Sequence, residues 1–152
     1  MERFRKTPNE QILRKGTIDY LRGEQTFKAI MFHGAIVKCR AFVTSRRFVA
    51  CEESKWRTLG PLFFVIGLFI RKKIVFVIQL ERLASISFDP KRISEFTLKD
   101  SDGAEFRIRL DGLFDKRDKW FDTITGAVKN IRPDAEIQRD EARLEFIQSQ
   151  QG

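Results

Sequence analysis

The sequence is poor in the residues from which metal centres and disulfide frameworks are built. It has two cysteines and one histidine among 152 residues, too few for a cysteine- or histidine-rich metal site or a framework of disulfides. It also lacks the G-x-S-x-G, H-E-x-x-H, C-x-x-C and P-loop motifs of hydrolase, zinc protease, redox and nucleotide-binding sites. We therefore predict no catalytic residues, no bound metal and no cofactor.

Long hydrophobic runs are also missing. The longest, residues 59–70, has twelve residues, whereas a membrane-spanning helix needs about 20. The cations of Arg71-Lys72-Lys73 follow it at once, and each would cost about 2.5–3.5 kcal/mol at the centre of a span. The N-terminal cations are not followed by an apolar segment, so they do not begin a signal peptide. We expect a cytoplasmic protein whose membrane contact, if it makes one, is peripheral and at the inner face.

Positive charge is what the sequence has in excess. The 29 Lys and Arg residues outnumber 21 Asp and Glu, which gives a net charge of +8. Residues 1–100 carry twenty cations and ten anions, whereas residues 101–152 carry nine cations and eleven anions. A positive field over the first two thirds of the chain favours partners that carry phosphate or other negative charge.

Hydrophobic periodicity predicts the fold. From Thr26 to Leu110 apolar residues recur mostly at every second position, which indicates about seven antiparallel strands. The last two strands form a hairpin around Asp100-Ser101-Asp102-Gly103. The period then becomes helical, and the apolar face comprises Phe121, Ile124, Val128 and Ile131, flanked by Trp120 and Ala127. We predict a mainly β, α+β fold, in which a curved antiparallel sheet or partly open barrel is capped by a C-terminal α-helix.

The two ends of the chain have weaker patterns. Residues 1–22 are predicted to form an N-terminal arm, with one helical turn from Thr17 to Arg22. The domain itself occupies residues 23–132, with Asp115 as the N-cap of its helix and Pro133 as the stop signal. Residues 133–152 are predicted to be a C-terminal extension that is either a short helix or disordered.

The two cysteines lie on neighbouring predicted strands, 35–44 and 48–52. A turn centred on Ser45 would place Cys39 directly opposite Cys51, where a cross-strand disulfide is one outcome. Two buried thiols are the favoured interpretation, because a reducing compartment keeps cysteines as thiols.

Several short segments occur in a particular order. They are Leu21-Arg22-Gly23-Glu24, residues 41–49 (AFVTSRRFV) and residues 78–86 (IQLERLASI), followed by the final hairpin and the helix carrying Trp120 and Phe121. They resemble the "GE" entry, the "Y-x-T-x-x-R-hydrophobic" hairpin and the "I-x-L-x-x-I-x-x-I" step of the GRAM and bacterial pleckstrin-homology-like (PH-like) families. The resemblance covers residues 23–131 and implies a non-enzymatic module that binds lipid head groups or protein segments, or that assembles.

The apolar run 59–70 and the cations beside it are the most unusual feature of the sequence. One interpretation buries the run against the sheet. A second makes it a wedge that enters a membrane interface or a partner's groove, and a third makes it the interface of a homo-oligomer. The candidate membrane or partner contacts are Leu62, Phe63, Phe64 and Phe69, and the candidate ligands for anionic groups are Arg71, Lys72, Lys73, Arg46 and Arg47.

Three functional hypotheses follow. The first is a PH-like binding module that acts peripherally at an anionic membrane or binds a protein partner. The second is a structural oligomerisation unit that uses the apolar run. The third is a basic nucleic-acid-associated protein, based on the outward pairs Lys38/Arg40 and Arg107/Arg109. It is less favoured because the outward positions of the last two strands carry no aromatic side chain on which a base can stack.

Overall fold

The computed structural model describes residues 4, 6–23, 26, 28, 34–53, 73–112 and 115–148. The strands are β1 (Ile12–Leu21), β2 (Ile36–Thr44), β3 (Arg47–Glu52), β4 (Ile74–Gln79), β5 (Leu83–Ser87), β6 (Glu95–Asp100), β7 (Glu105–Leu110), β8 (Ala135–Arg139) and β9 (Arg143–Gln148). A short 3-10 helix, Leu80–Arg82, joins β4 to β5, and the α-helix α1 spans Arg117–Ile131. The predicted strand at 26–32 lies outside the described residues except for Thr26 and Lys28.

The strands form one antiparallel sheet in the order β4-β3-β2-β1-β7-β6-β5-β9-β8. In a flat sheet β4 and β7 would be four strand spacings, or about 19 Å, apart. The rings of Phe76 on β4 and Phe106 on β7 are nevertheless stacked, with centroids 4.5 Å apart. The sheet therefore curls back on itself around one core, and the predicted curved antiparallel sheet with a C-terminal helix is confirmed.

Helix α1 closes this core with one apolar face. Its buried side chains are Trp120, Phe121, Ile124, Ala127 and Val128, all of which were predicted to lie on or beside that face. The predicted N-cap was wrong, because the helix begins after Lys116. The carboxylate of Asp115 instead accepts a hydrogen bond of 2.9 Å from Arg14 Nη2 on β1, so it ties the helix entrance to the sheet.

The β6–β7 hairpin forms around the predicted turn. Lys99 lies opposite Glu105, and Phe96 and Leu98 are buried. The Asp100 carboxylate accepts hydrogen bonds from the backbone N–H groups of Asp102 and Ala104, at 2.9 and 3.0 Å. These acidic residues therefore build the turn itself.

The N-terminal interpretation was wrong from Ile12 onwards. Residues 12–21 are not an arm with a helical turn; they form β1, which pairs with both β2 and β7. The pattern was obscured by Gly16 and by Asp19, two residues that local propensity disfavours in a strand. Both have tertiary reasons to be there. Gly16 is where Trp120 packs against the strand, since an added Cβ would lie 2.7 Å from Trp120 Cζ2.

The C-terminal interpretation was also wrong. Residues 135–139 and 143–148 form the antiparallel hairpin β8–β9, and β9 extends the sheet beyond β5. Leu144 and Phe146 alternate inward and are buried, whereas Ile147 is 38% exposed. The spacing of Ile137, Leu144 and Ile147 is weakly typical of a helix. Pairing with β5 instead favours a strand, in which every second side chain is buried.

The two cysteines do not face each other. The β2–β3 turn is centred between Ser45 and Arg46, so Cys39 pairs with Glu52 and Cys51 pairs with Arg40. This shift of one residue places the two side chains on opposite faces of the sheet, in different apolar clusters. Both are buried thiols that are not joined in a disulfide, and burial raises the pKa of Cys39 to about 12.

The close approach of Gly16 to Trp120 gives a stability prediction. Gly16→Ala should destabilise the protein by about 1–3 kcal/mol, because its Cβ overpacks the interface between β1 and α1. Gly126→Ala is the matched control, since a Cβ there meets nothing within 4 Å. An alanine within a helix should raise the free energy of unfolding by at most about 1 kcal/mol. Urea unfolding of both variants measures the difference. Equal effects of the two substitutions would contradict this packing.

Candidate functional site

The three predicted anion ligands that the structure describes, Arg46, Arg47 and Lys73, do not converge on one site. Arg46 and Arg47 lie at the β2–β3 turn. Lys73 lies beside the far end of β3, where its carbonyl accepts a hydrogen bond of 2.9 Å from the Glu52 N–H. The five residue steps from Arg47 to Glu52 extend over about 17 Å, so the cations of the turn and Lys73 cannot hold one small ligand together.

Arg71 and Lys72, and the apolar contacts Leu62, Phe63, Phe64 and Phe69, lie outside the described residues. Their roles stay predictions. Within the described ranges no helix is long and apolar enough to cross a membrane.

Arg47 already has an anionic partner within the chain. Its Nε and Nη2 atoms donate to the two carboxylate oxygens of Glu10, at 2.9 and 3.0 Å. The Thr44 hydroxyl donates to Glu10 at 2.5 Å, and the N–H and hydroxyl of Thr7 each donate at 2.9 Å. Glu10 is only 1% exposed. We call Glu10, Arg47, Thr44 and Thr7 the Glu10 cluster.

A local turn places Glu10 in this cluster. The Glu10 N–H donates to the Thr7 carbonyl at 3.1 Å, and Asn9 has a φ of 67°. Pro8 followed by a residue of positive φ is typical of a type II turn. Glu10 is not among the predicted site residues, although a threonine three residues before a glutamate is a recognisable signal for reciprocal side-chain and backbone hydrogen bonds.

The Glu10 carboxyl has a lowered pKa in this cluster. Burial by itself would raise the pKa of Glu10, but the hydrogen bonds from Arg47, Thr44 and Thr7 outweigh it and lower the pKa from 4.5 to about 2. The Arg47 guanidinium also lies 5.3 Å from the centre of the Phe4 ring, which stacks on Phe42 at 5.1 Å. Arg47 is thus part of the framework that fixes the segment before β1, and only Arg46 of this pair is exposed.

The outward cations of the sheet are also paired. Lys38, Asp19, Arg109 and Glu95 lie opposite one another on four adjacent strands, so their charges alternate in one row. Arg109 Nη2 lies 2.7 Å from Asp19 Oδ2, and Lys38 Nζ lies 2.7 Å from Asp111 Oδ2. The hydrogen bond to Asp111 raises the pKa of Lys38. The other two outward arginines have partners as well, in the pairs Arg107–Glu95 at 3.1 Å and Arg40–Glu53 at 3.6 Å.

The part of the chain that the structure describes contains no group of three His, Cys, Asp or Glu side chains placed to hold a metal ion.

Comparison with solved structures identifies the architecture. The chain is similar to an N-terminally truncated form of the linker-DH/PH domains of p115-RhoGEF, with a TM-score of 0.54 and 7% identity over 80% of this chain and 30% of that one. It is equally similar to the DH/PH fragment of PDZRHOGEF crystallised with human RhoA, with a TM-score of 0.54 and 9% identity over 80% and 29% of the two chains. The fold is PH-like.

These PH-like neighbours share an architecture with the chain and very little sequence. The chain spans about 30% of the length of each. No family model matches the sequence, and no curated protein does. The PH-like part of the predicted resemblance is therefore confirmed, while the assignment to the GRAM and bacterial PH-like families stays a prediction.

The Glu10 cluster predicts how stability depends on pH. Because the folded-state pKa of about 2 lies below the ordinary value of 4.5, the cluster stabilises the fold fully above about pH 4.5 and loses this contribution as the pH falls through about 2. Glu10→Gln should cost about 2–3 kcal/mol near neutral pH and remove this part of the acid sensitivity. Urea unfolding at a series of pH values measures both effects.

The matched control is Glu141→Gln, which changes an exposed glutamate of the β8–β9 turn. It should leave the pH profile of the free energy of unfolding unchanged. Parallel profiles for wild type and Glu10→Gln would contradict the role of the cluster.

Proposed function

We propose that the protein is a non-enzymatic, PH-like binding module that acts peripherally at an anionic membrane surface. Its main electrostatic contact is the run Arg71-Lys72-Lys73, and the neighbouring apolar residues 59–70 enter the interface. The PH-like fold supports a binding role in general. The choice of surface and residues rests on the distribution of charge described above.

The observation that carries this choice is the pairing of the other candidate cations except Arg46, which is exposed. Arg47 is held by the buried Glu10, and the outward cations of β2 and β7 are paired with carboxylates. Lys73 is exposed, and it belongs to the one run of three consecutive cations in the sequence. A negatively charged surface therefore finds its strongest concentration of positive charge at residues 71–73.

Electrostatic attraction of residues 71–73 is too weak to account for membrane binding by itself. Each Lys or Arg near an anionic leaflet adds about 1 kcal/mol, so the run supplies about 3 kcal/mol. That is weaker than millimolar binding, and insertion of apolar side chains such as Phe63 and Phe64 is the natural supplement.

The same pairing weakens the nucleic-acid hypothesis. Duplex binding depends on cations that neutralise phosphates and release counterions. Of the cations on which that hypothesis was based, Lys38, Arg40 and Arg109 each pair with a carboxylate of this chain. Arg107 shares the Glu95 carboxylate with Arg92.

Flotation with vesicles tests the proposal. Wild type should float with vesicles of phosphatidylglycerol and not with vesicles of phosphatidylcholine. The variant Arg71→Gln/Lys72→Gln/Lys73→Gln should bind the anionic vesicles about 100-fold more weakly, because it loses about 3 kcal/mol of electrostatic attraction.

The control removes the same charge elsewhere. Lys116, Lys119 and Lys129 are exposed residues at or on α1, and replacing all three by glutamine should change vesicle binding by less than about tenfold through the overall field alone. The proposal fails if wild type does not float with anionic vesicles. It also fails if the two triple variants lose binding equally, since binding would then follow net charge.

A further inference from the structure

A second polar site lies on the outer surface of β5 and β6. It has no part in the function proposed above. A cavity of about 410 Å³ opens there, lined among others by Ser87, Phe88, Arg92, Glu95, Thr97 and Arg107. We call it the β5–β6 pocket. Its volume is in the range of cavities that hold small ligands.

Sheet register brings three hydrogen-bond donors of this pocket into one row. Ser87 lies opposite Thr97, and Thr97 lies opposite Arg107. Residues directly opposite one another on adjacent strands point to the same face. Two hydroxyls and a guanidinium therefore line the same wall of the pocket.

The loop before β6 adds a second guanidinium. Glu95 Oε2 accepts hydrogen bonds from Arg92 Nη1 at 3.3 Å and from Arg107 Nη2 at 3.1 Å. Burial alone would raise the pKa of Glu95, but these two arginines lower it, so the bridging carboxylate stays ionised. One carboxylate oxygen holds two guanidinium groups side by side, and each keeps further N–H donors for a ligand.

Helix α1 fixes the shape of this loop. Arg117 Nη1 reaches the carbonyl oxygens of Asp89, Arg92 and Glu95, at 2.8, 2.9 and 3.3 Å. Its guanidinium also lies 4.6 Å from the centre of the Phe88 ring. The pocket is therefore preorganised, because a residue of another element braces the loop that supplies Arg92 and Glu95.

The lining of the pocket is balanced in charge, and its surroundings are positive. Arg92 and Arg107 line it together with the carboxylates of Asp89 and Glu95. Two further cations lie beside the lining: Lys91 belongs to the same loop, and Arg117 contacts that loop from α1. A phosphate monoester carries about −1.5 to −2 at neutral pH, and these neighbouring cations favour its approach.

We propose that the β5–β6 pocket binds a phosphate monoester group. Arg92 and Arg107 supply charged N–H donors, the geometry that arginine uses for phosphate oxygens, and Ser87 and Thr97 supply hydroxyl donors. The cavity also has room for the group that carries the phosphate, which is either a lipid head group or a small soluble molecule. None of the residues that line the pocket belongs to the run 71–73, so separate variants test the two sites.

Titration of the full chain with inorganic phosphate, followed by backbone amide NMR shifts, tests this site. Wild type should show saturable shifts centred on residues 87–97, which an equal ionic strength of chloride does not produce. Arg107→Gln should weaken binding by about tenfold or more, because hydrogen bonds to charged groups are worth at least that factor. Thr97→Val keeps the side-chain shape, removes the hydroxyl and should weaken binding severalfold.

Arg139→Gln is the matched control. Arg139 is another partly exposed, ion-paired arginine, 3.6 Å from Asp118, and its replacement should leave phosphate binding unchanged. Dispersed amide spectra establish that each variant is folded. If Arg107→Gln does not fold, Thr97→Val decides the outcome. The proposal is overturned if wild type shows no saturable shifts, or if the pocket variants bind phosphate as wild type does.

Vesicles distinguish the two sources of the phosphate group. A preference for phosphatidic acid over phosphatidylglycerol that Arg107→Gln abolishes indicates a lipid ligand. Saturable binding of inorganic phosphate without that preference indicates a soluble ligand, and both results support the site. Failure of the 71–73 run in flotation would leave the phosphate titration unaffected, so the two proposals can fail separately.

Discussion

Closure of the sheet is the constraint on which the rest of the structure depends. Phe76 and Phe106 stack across the interior, and Tyr20 packs against the same Phe76 ring at 4.9 Å. A curled sheet leaves one region of its core uncovered, and α1 covers it with Trp120 and its neighbours. The absence of a side chain at Gly16 is part of this closure, because it lets the indole lie directly on β1.

On the outer surface of the closed sheet, many charged side chains are paired with residues of opposite sign. The row of Lys38, Asp19, Arg109 and Glu95 alternates in sign across four strands, so much of a strongly basic chain presents a balanced face. Net charge is therefore a poor guide to which surface binds an anion. What matters is where a cation lacks a carboxylate of its own chain, or where two guanidiniums share one, as Arg92 and Arg107 share Glu95.

The elements with strong local signals could be predicted from the sequence, and the others could not. The turn residues at 100–103 fix the β6–β7 hairpin, and the spacing of Phe121, Ile124 and Val128 fixes the buried face of α1. β1 could not be recognised, because Gly16 and Asp19 are explained only by Trp120 and by Arg109, more than 80 residues away in the chain. The true partner of Arg47 was missed for the same reason. Sequence identified the cation, but only the fold brings the Glu10 carboxylate to it.

The Glu10 cluster has a consequence for where this domain begins. Every strand and the helix lie after Ile12, so a boundary drawn from secondary structure would exclude Glu10 and Phe4. A chain trimmed in that way would keep all its strands but leave the Arg47 guanidinium, which is 17% exposed, without its counter-ion. Loss of one partner of a largely buried ion pair is strongly destabilising. The stable domain therefore includes more than its strands and helix. It also needs the Glu10 carboxylate, which lies in the turn before β1.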